Sequence, residues 1–179
     1  MDKKEIKARA DYMLASGRPR AEVFDLLSGR GLKDRALAYH VAAWPAPDRV
    51  EAQRGKVRVL IWVMALQALL AFALGFGLGL NMGVVARWAM AFLIAAIPLL
   101  FAWGFYKNKV GAYNGYLVLS VIQLPRQFDG FSESPIASSL AIVVGLAILG
   151  FVALVRFRLF PDFVVTSPRK VKGHYVLSD

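Results

Sequence analysis

Long apolar stretches without a charged residue dominate the pattern along this chain. The longest runs from Val59 to Leu80, and two of similar length follow at Trp88–Tyr106 and Ile136–Val155. A helix rises ~1.5 Å per residue, so the first stretch reaches roughly 33 Å, enough to cross the ~30 Å hydrocarbon core of a bilayer. Helices of a soluble core normally carry a charged stripe, which these stretches lack. The pattern therefore predicts a multi-pass membrane protein.

A fourth apolar stretch, Val110–Pro125, is shorter and more polar. As a helix it reaches about 24 Å, and a re-entrant or interfacial helix is the competing interpretation. Lysine and arginine gather on the cytoplasmic side of membrane proteins. Four spans keep the basic C-terminal tail on that side, whereas three would carry it outside. We therefore predict an all-α fold with a four-helix transmembrane bundle, in which Arg126–Pro135 is an external connecting loop. The predicted spans cover about residues 59–80, 88–106, 110–125 and 136–155.

The segment before the first span is soluble in character. Its apolar residues recur at helical spacing and predict three short helices, at about Lys3–Ser16, Pro19–Ser28 and Leu32–Trp44. Pro45 and Pro47 are expected to close this module, because proline does not continue a helix. Residues 1–47 are therefore predicted to form a cytoplasmic helical module, followed by a basic linker over residues 48–58.

Three short helices with a glycine-containing turn between each pair resemble the UBA-like three-helix modules. The resemblance covers residues 5–44. It implies a role in binding a protein or peptide, with Gly29, Gly31 and Leu32 at the docking turn. An amphipathic helical region lying on the membrane surface is the alternative, and the basic character of the segment favours it as well.

The C-terminal residues 159–179 form a second basic segment that we also expect in the cytoplasm. Two β-prone runs, Phe163–Val165 and Tyr175–Leu177, are separated by a stretch that contains proline and glycine. A small hairpin packed on the N-terminal module and a flexible tail both fit this pattern.

The large excess of basic residues does not alter the prediction of a membrane protein. The chain has 22 Lys and Arg against 12 Asp and Glu, a formal net charge of +10. In a soluble protein this excess would indicate nucleic acid. Here the basic residues flank the spans, where membrane topology explains them, so we expect no nucleic-acid partner. The charged N-terminus precedes no short apolar segment, so we expect the first span itself to direct insertion.

Few residues offer catalytic or metal-binding chemistry. The sequence contains no cysteine and two histidines, so we predict neither a metal site nor a cofactor. No nucleophile elbow, H-E-x-x-H helix or phosphate-binding loop is present, and we expect no enzyme activity. The spans also lack the ionisable residues on which charged-substrate and proton-coupled transporters usually depend.

Small and polar residues inside the spans are the candidate functional positions. Small residues that allow close helix approach predict a packing seam, either within this chain or in a homo-oligomer, and Gly75 and Gly79 also have the small-xxx-small spacing, although a softened helix end explains that pair equally well. These small residues are Gly75, Gly79, Gly145 and Gly150. Polar side chains predict hydrogen bonds between helices or, alternatively, contacts with a ligand. They are Gln67, Asn114, Ser120 and Gln123.

These patterns favour a small inner-membrane protein whose partners are the lipid bilayer and a cytoplasmic protein. It would act as an adaptor or regulatory component that recruits its partner through the N-terminal module. The composition, rich in alanine, arginine and glycine, indicates a bacterial source. Two alternatives remain: a minor transporter or channel for a small molecule or lipid, and an immunity-type protein that blocks a toxin acting in the bilayer.

Overall fold

A computed structural model describes residues 2–128, 134–164, 166–172 and 174–177. The fold is mostly helical, at 77%, and divides into two compact units. The first joins Met1–Val50 to Arg156–Asp179, and the second is Glu51–Val155. The predicted external loop falls largely on residues 129–133, outside the described residues.

Three short helices form the N-terminal part of the first unit, close to their predicted bounds: α1 is Lys3–Ala15, α2 is Arg20–Leu27 and α3 is Asp34–Ala42. The Asp2 carboxylate accepts a hydrogen bond from the Lys3 backbone N–H at the start of α1. Gly17, with φ +82°, takes the left-handed conformation common after a helix end. The apolar faces of the three helices meet in one core, whose fully buried members include Ile6, Ala10, Val23, Leu37 and Val41.

The described residues of the C-terminal part of the first unit contain two strands of two residues each. Strand β1 is Lys170–Val171 and β2 is His174–Tyr175. They pair antiparallel, with Lys170 opposite Tyr175 and Val171 opposite His174. Because Gly173 between them lies outside the described residues, the complete hairpin stays a prediction.

Four helices and two 3₁₀ turns are found in the remaining described residues. They are α4 (Pro47–Leu78), the turn Leu80–Met82, α5 (Val84–Tyr106), α6 (Val110–Gln123), the turn Pro125–Phe128 and α7 (Pro135–Leu159). Residues 48–58, predicted as a linker, form the first turns of α4. A proline is accepted at the first position of a helix, where its missing N–H has no partner to lose, so Pro47 begins α4 rather than separating it from the module.

Helices α4, α5 and α7 are long and apolar enough to cross a membrane. Among the described residues these three alone meet that criterion, whereas the sequence predicted four spans. The remaining helix, α6, has 14 residues and is about 21 Å long, shorter than the hydrocarbon core of a bilayer.

Helices α5 and α6 form an antiparallel pair joined by a short turn, in which Asn108 has φ +48°. The rings of Phe105 and Tyr113 lie 4.6 Å apart between their centroids, and those of Phe101 and Tyr116 lie 5.3 Å apart. As the chain advances along α6, its contacts therefore move backwards along α5. Helix α6 therefore packs along α5, which is itself long enough to cross a membrane.

Candidate functional site

An ion pair buried in the first unit joins the two ends of the chain. An Nη atom of Arg20, at the start of α2, lies 2.7 Å from an Oδ atom of Asp162, which follows α7. Their side chains are 5% and 3% exposed. The other Nη of Arg20 donates a hydrogen bond to the Trp44 carbonyl oxygen at 2.7 Å. The Arg169 backbone N–H donates to the Asp162 carbonyl oxygen, also at 2.7 Å.

Aromatic contacts extend this junction on either side of the ion pair. Phe24 of α2 packs edge-on against Tyr175 of β2, with ring centroids 5.4 Å apart. Tyr39 of α3 packs edge-on against Phe163 at 5.2 Å. Edge-to-face aromatic pairs of this kind add about 0.5–1.5 kcal/mol beyond the area that they bury. The described part of the C-terminal segment is therefore packed on the N-terminal helices.

A cleft of about 430 Å³ opens beside this junction, between the start of α3 and the C-terminal segment. The Lys170 Nζ atom lies 4.4 Å from the centre of the Tyr175 ring, so the cleft combines an aromatic surface with positive charge. Its lining residues are Arg35, Val164, Ser167, Pro168, Lys170 and Tyr175.

The turn predicted to dock a partner lies between α2 and α3. Gly29 and Gly31 have φ angles of +73° and +110°, which glycine adopts without steric cost, and both are exposed. Leu32 is only 8% exposed, so its side chain belongs to the core. Of the three predicted docking residues, the structure therefore places the two glycines at the surface.

A second candidate site is a cavity of about 360 Å³ within the second unit. Residues from all four of its helices contribute, including three of the four polar residues and one of the glycines singled out from the sequence. The lining residues are Gln67, Ala71, Ile94, Ile97, Pro98, Phe101, Tyr116, Leu119, Ser120, Gln123, Leu124, Gly145 and Leu149.

Three polar side chains in this cavity, those of Gln67, Ser120 and Gln123, make no hydrogen bond to any part of the chain that the structure describes. The fourth predicted polar residue, Asn114, lies apart from the cavity and is 7% exposed. It has an interaction within the protein. Of the four predicted polar residues, Asn114 is therefore buried in the protein, whereas the other three line the cavity.

Gly75 of α4 and Gly79, directly after it, lie where the chain closely approaches α5. A Cβ atom added at Gly75 would lie 2.7 Å from the Met90 carbonyl oxygen of α5, and one at Gly79 would collide with the Cα of Arg87. By contrast, a Cβ added at Gly77 or at Gly150 would meet no atom within 4 Å. The absence of side chains at the first two positions therefore permits the α4–α5 contact.

Sequence reasoning did not anticipate the buried ion pair. Arg20 and Asp162 are 142 residues apart, and a charged residue in a short basic segment is usually solvated. The one available signal was that Asp162 is an acidic residue in a C-terminal segment with a net positive charge.

No family model, curated protein or solved structure matches this chain. The resemblance of residues 5–44 to UBA-like modules therefore rests on helix spacing and glycine positions.

Proposed function

We propose that this chain is a small multi-pass inner-membrane protein that binds a partner through the folded unit formed by its two ends, as an adaptor or regulatory component. The buried Arg20–Asp162 ion pair carries the proposal. It supports a single cytoplasmic binding unit instead of an N-terminal module and a separate tail. The immunity and transport alternatives stay predictions.

The same ion pair supports a four-span topology. Two segments in direct contact must lie on the same face of a membrane, so the chain between them crosses an even number of times. Three long helices give an odd number, and α6, with the residues after it, is the natural fourth crossing. A short span is accommodated by local thinning of the bilayer and by snorkelling of flanking residues, and Arg126 is suitably placed for the latter.

The distribution of charge supports the orientation. With four spans and the two ends together, one face receives most of the basic residues near the spans, while the other receives Arg87 and Arg126. The first set is Arg54, Lys56, Arg58, Lys107, Lys109, Arg156 and Arg158. The excess of lysine and arginine marks the cytoplasmic side, so both termini would lie in the cytoplasm.

The cleft suggests the chemistry of the partner. Arg35 and Lys170 supply positive charge beside the apolar surfaces of Val164 and Tyr175. Complementary charge selects a partner and speeds its association. An acidic protein segment with an aromatic or aliphatic anchor fits these features, and the exposed turn at Gly29 and Gly31 offers a further contact surface.

Chemical cross-linking in native membranes, followed by purification of the full chain in mild detergent, tests this proposal. We expect the double variant Arg35→Glu, Lys170→Glu to lose at least about 90% of the recovered partner, because like charge repels an acidic segment. Lys7→Glu is the matched control, since Lys7 is an exposed lysine of α1 outside the cleft. Equal recovery with the double variant would contradict the proposal. Equal loss with Lys7→Glu would indicate a general basic surface for the membrane.

A further inference from the structure

We infer that the cavity of the second unit is a binding site for an uncharged, lipid-soluble molecule that carries hydroxyl groups. The site lies within residues 67–149 and does not depend on partner binding by the first unit. Its polar side chains share one space without hydrogen-bonding to the described protein.

The depth of Gln67 makes its carboxamide unusual, whereas Gln123 is exposed and is the last residue of α6. Gln67 lies eight residues beyond Val59, or about 12 Å along α4, and Gly145 lies nine residues beyond Ile136. Both are near the middle of apolar runs long enough to span a membrane. Hydrocarbon offers no hydrogen bonds, so an unmatched carboxamide at this depth is unfavourable unless something in the cavity matches it.

The lining residues limit the charge of the ligand. None of the 13 residues that line the cavity is charged. A charged group near the middle of a membrane needs a partner of opposite charge or water. The cavity therefore favours an uncharged molecule.

The polar side chains limit the hydrogen-bonding groups of the ligand. Each glutamine carboxamide has an acceptor oxygen and two donor hydrogens, and the Ser120 hydroxyl both donates and accepts. A ligand with only carbonyl groups would satisfy the donors and leave the glutamine oxygens unmatched, at a cost in affinity. Hydroxyl groups satisfy both, so an alcohol is the better complement to Gln67, Ser120 and Gln123.

The remaining walls favour a hydrocarbon body. Ile94, Ile97, Phe101 and Leu149 line the cavity beside the polar groups. Its volume of about 360 Å³ lies within the range of roughly 300–1,000 Å³ typical of small-molecule sites. A neutral lipid alcohol combines the required polar group with an apolar remainder.

Photolabelling of the full chain in phospholipid nanodiscs tests this assignment, with diacylglycerol carrying a diazirine next to its hydroxyl end as the probe. We expect labelled peptides from the α5–α6 part of the cavity, between residues 94 and 124. Unlabelled diacylglycerol should compete at least about tenfold better than phosphatidic acid, which adds charge to the same apolar chains, and better than a quinone, which offers only acceptors. If free glycerol competes as well as the lipid, the site takes a small polyol and the lipid assignment is wrong.

Variants at the polar positions separate a specific site from labelling of the lipid-facing surface. Gln67→Leu with Gln123→Leu should weaken competition by diacylglycerol about tenfold, and Ala71→Leu should weaken it by filling the cavity. Two serine variants form a matched pair. Ser120→Ala should weaken competition by diacylglycerol about threefold. Ser139→Ala, which changes an exposed serine of α7 outside the cavity, should leave competition unchanged. Thermal unfolding checks that each variant is folded. Unchanged labelling in the folded double variant, or equal effects of the two serine variants, would overturn the inference.

Discussion

The two units of this protein differ in where their apolar side chains lie. In the first, apolar side chains such as Ile6 and Leu37 are fully buried. In the second, Leu69 and Leu93 are 66% and 69% exposed, while Gly75, Gly79 and Gly104 lie inside. The apolar surface of the first unit is removed from water by packing, whereas that of the second remains outside and requires an apolar solvent. The overall content of apolar residues therefore does not show which apolar side chains are buried and which are exposed.

Different contacts stabilise the two units. The first has a compact apolar core and an ion pair that links the chain ends. The second has close backbone approach at glycines and edge-on or tilted aromatic pairs between helices. Such contacts are expected in a membrane, where lipid is as apolar as the helices and the hydrophobic effect does not drive their association. Variants that change one of these contacts at a time, each beside a matched control, distinguish the two kinds of stabilisation.

The largest effect is expected from removing one partner of the buried ion pair. Asp162→Leu leaves the Arg20 charge in a buried site, and such a loss typically costs about 3–5 kcal/mol. Arg18→Leu is the control, because it breaks an ion pair with Glu22 whose side chains are both 49% exposed; exposed helix pairs contribute about 0.3–0.5 kcal/mol. Denaturant unfolding followed by proteolysis between residues 159 and 177 measures both variants.

The double variant Arg20→Leu, Asp162→Leu sharpens this test. It should recover part of the stability lost in Asp162→Leu, since two apolar side chains of similar size often replace a buried pair at little cost. A loss in Asp162→Leu no larger than that in Arg18→Leu would show that the ion pair does not hold the chain ends together.

A smaller effect is expected at the α4–α5 contact. Gly75→Leu forces side-chain atoms toward the Met90 carbonyl, and overpacking of this kind costs about 1–3 kcal/mol. Gly77→Leu introduces the same side chain on the same helix where a Cβ meets open space, so its stability should be unchanged or slightly higher. Thermal unfolding in detergent compares the two. Equal melting temperatures would mean that α4 does not approach α5 at Gly75.

The smallest effect is expected at the α5–α6 turn. The Lys109 Nζ atom lies 4.1 Å from the centre of the Trp103 ring, whereas the Lys107 Nζ lies 5.4 Å from that of Tyr106. Lys109→Ala should therefore cost about 0.5–1 kcal/mol and Lys107→Ala less. The same thermal assay applies, and a reversed order of the two variants would contradict the geometry of this turn.

The helices were predictable from the sequence because their signals are local. Helices α1 and α2 could be placed from two signals. One is the helical spacing of apolar residues such as Ile6, Ala10 and Leu14, and the other is the glycines at positions 17 and 29. The start of α4 was not predictable in this way, because proline is common both at the first position of a helix and just after a helix end.

Contacts between distant segments were beyond the sequence. Nothing near Arg20 indicates an acidic partner 142 residues away. Gln67, Ser120 and Gln123 were recognisable as polar residues in apolar surroundings, but their shared cavity depends on the antiparallel pairing of α5 with α6. The short connection at residues 107–109 predicts that the two helices are antiparallel, but their register depends on how the rings of Phe101, Phe105, Tyr113 and Tyr116 pack, which residue spacing does not specify.

Our proposal places the two chain ends together on one side of a membrane that the chain crosses four times. Cysteine accessibility in intact cells tests it directly, since the native chain has no cysteine and each introduced thiol is the sole reporter. Single variants Lys7→Cys and Lys172→Cys should both be protected from a membrane-impermeant maleimide until the cells are opened, while Asn81→Cys, in the turn between α4 and α5, should react from outside. Reaction of either Lys7→Cys or Lys172→Cys alone from outside would contradict this topology.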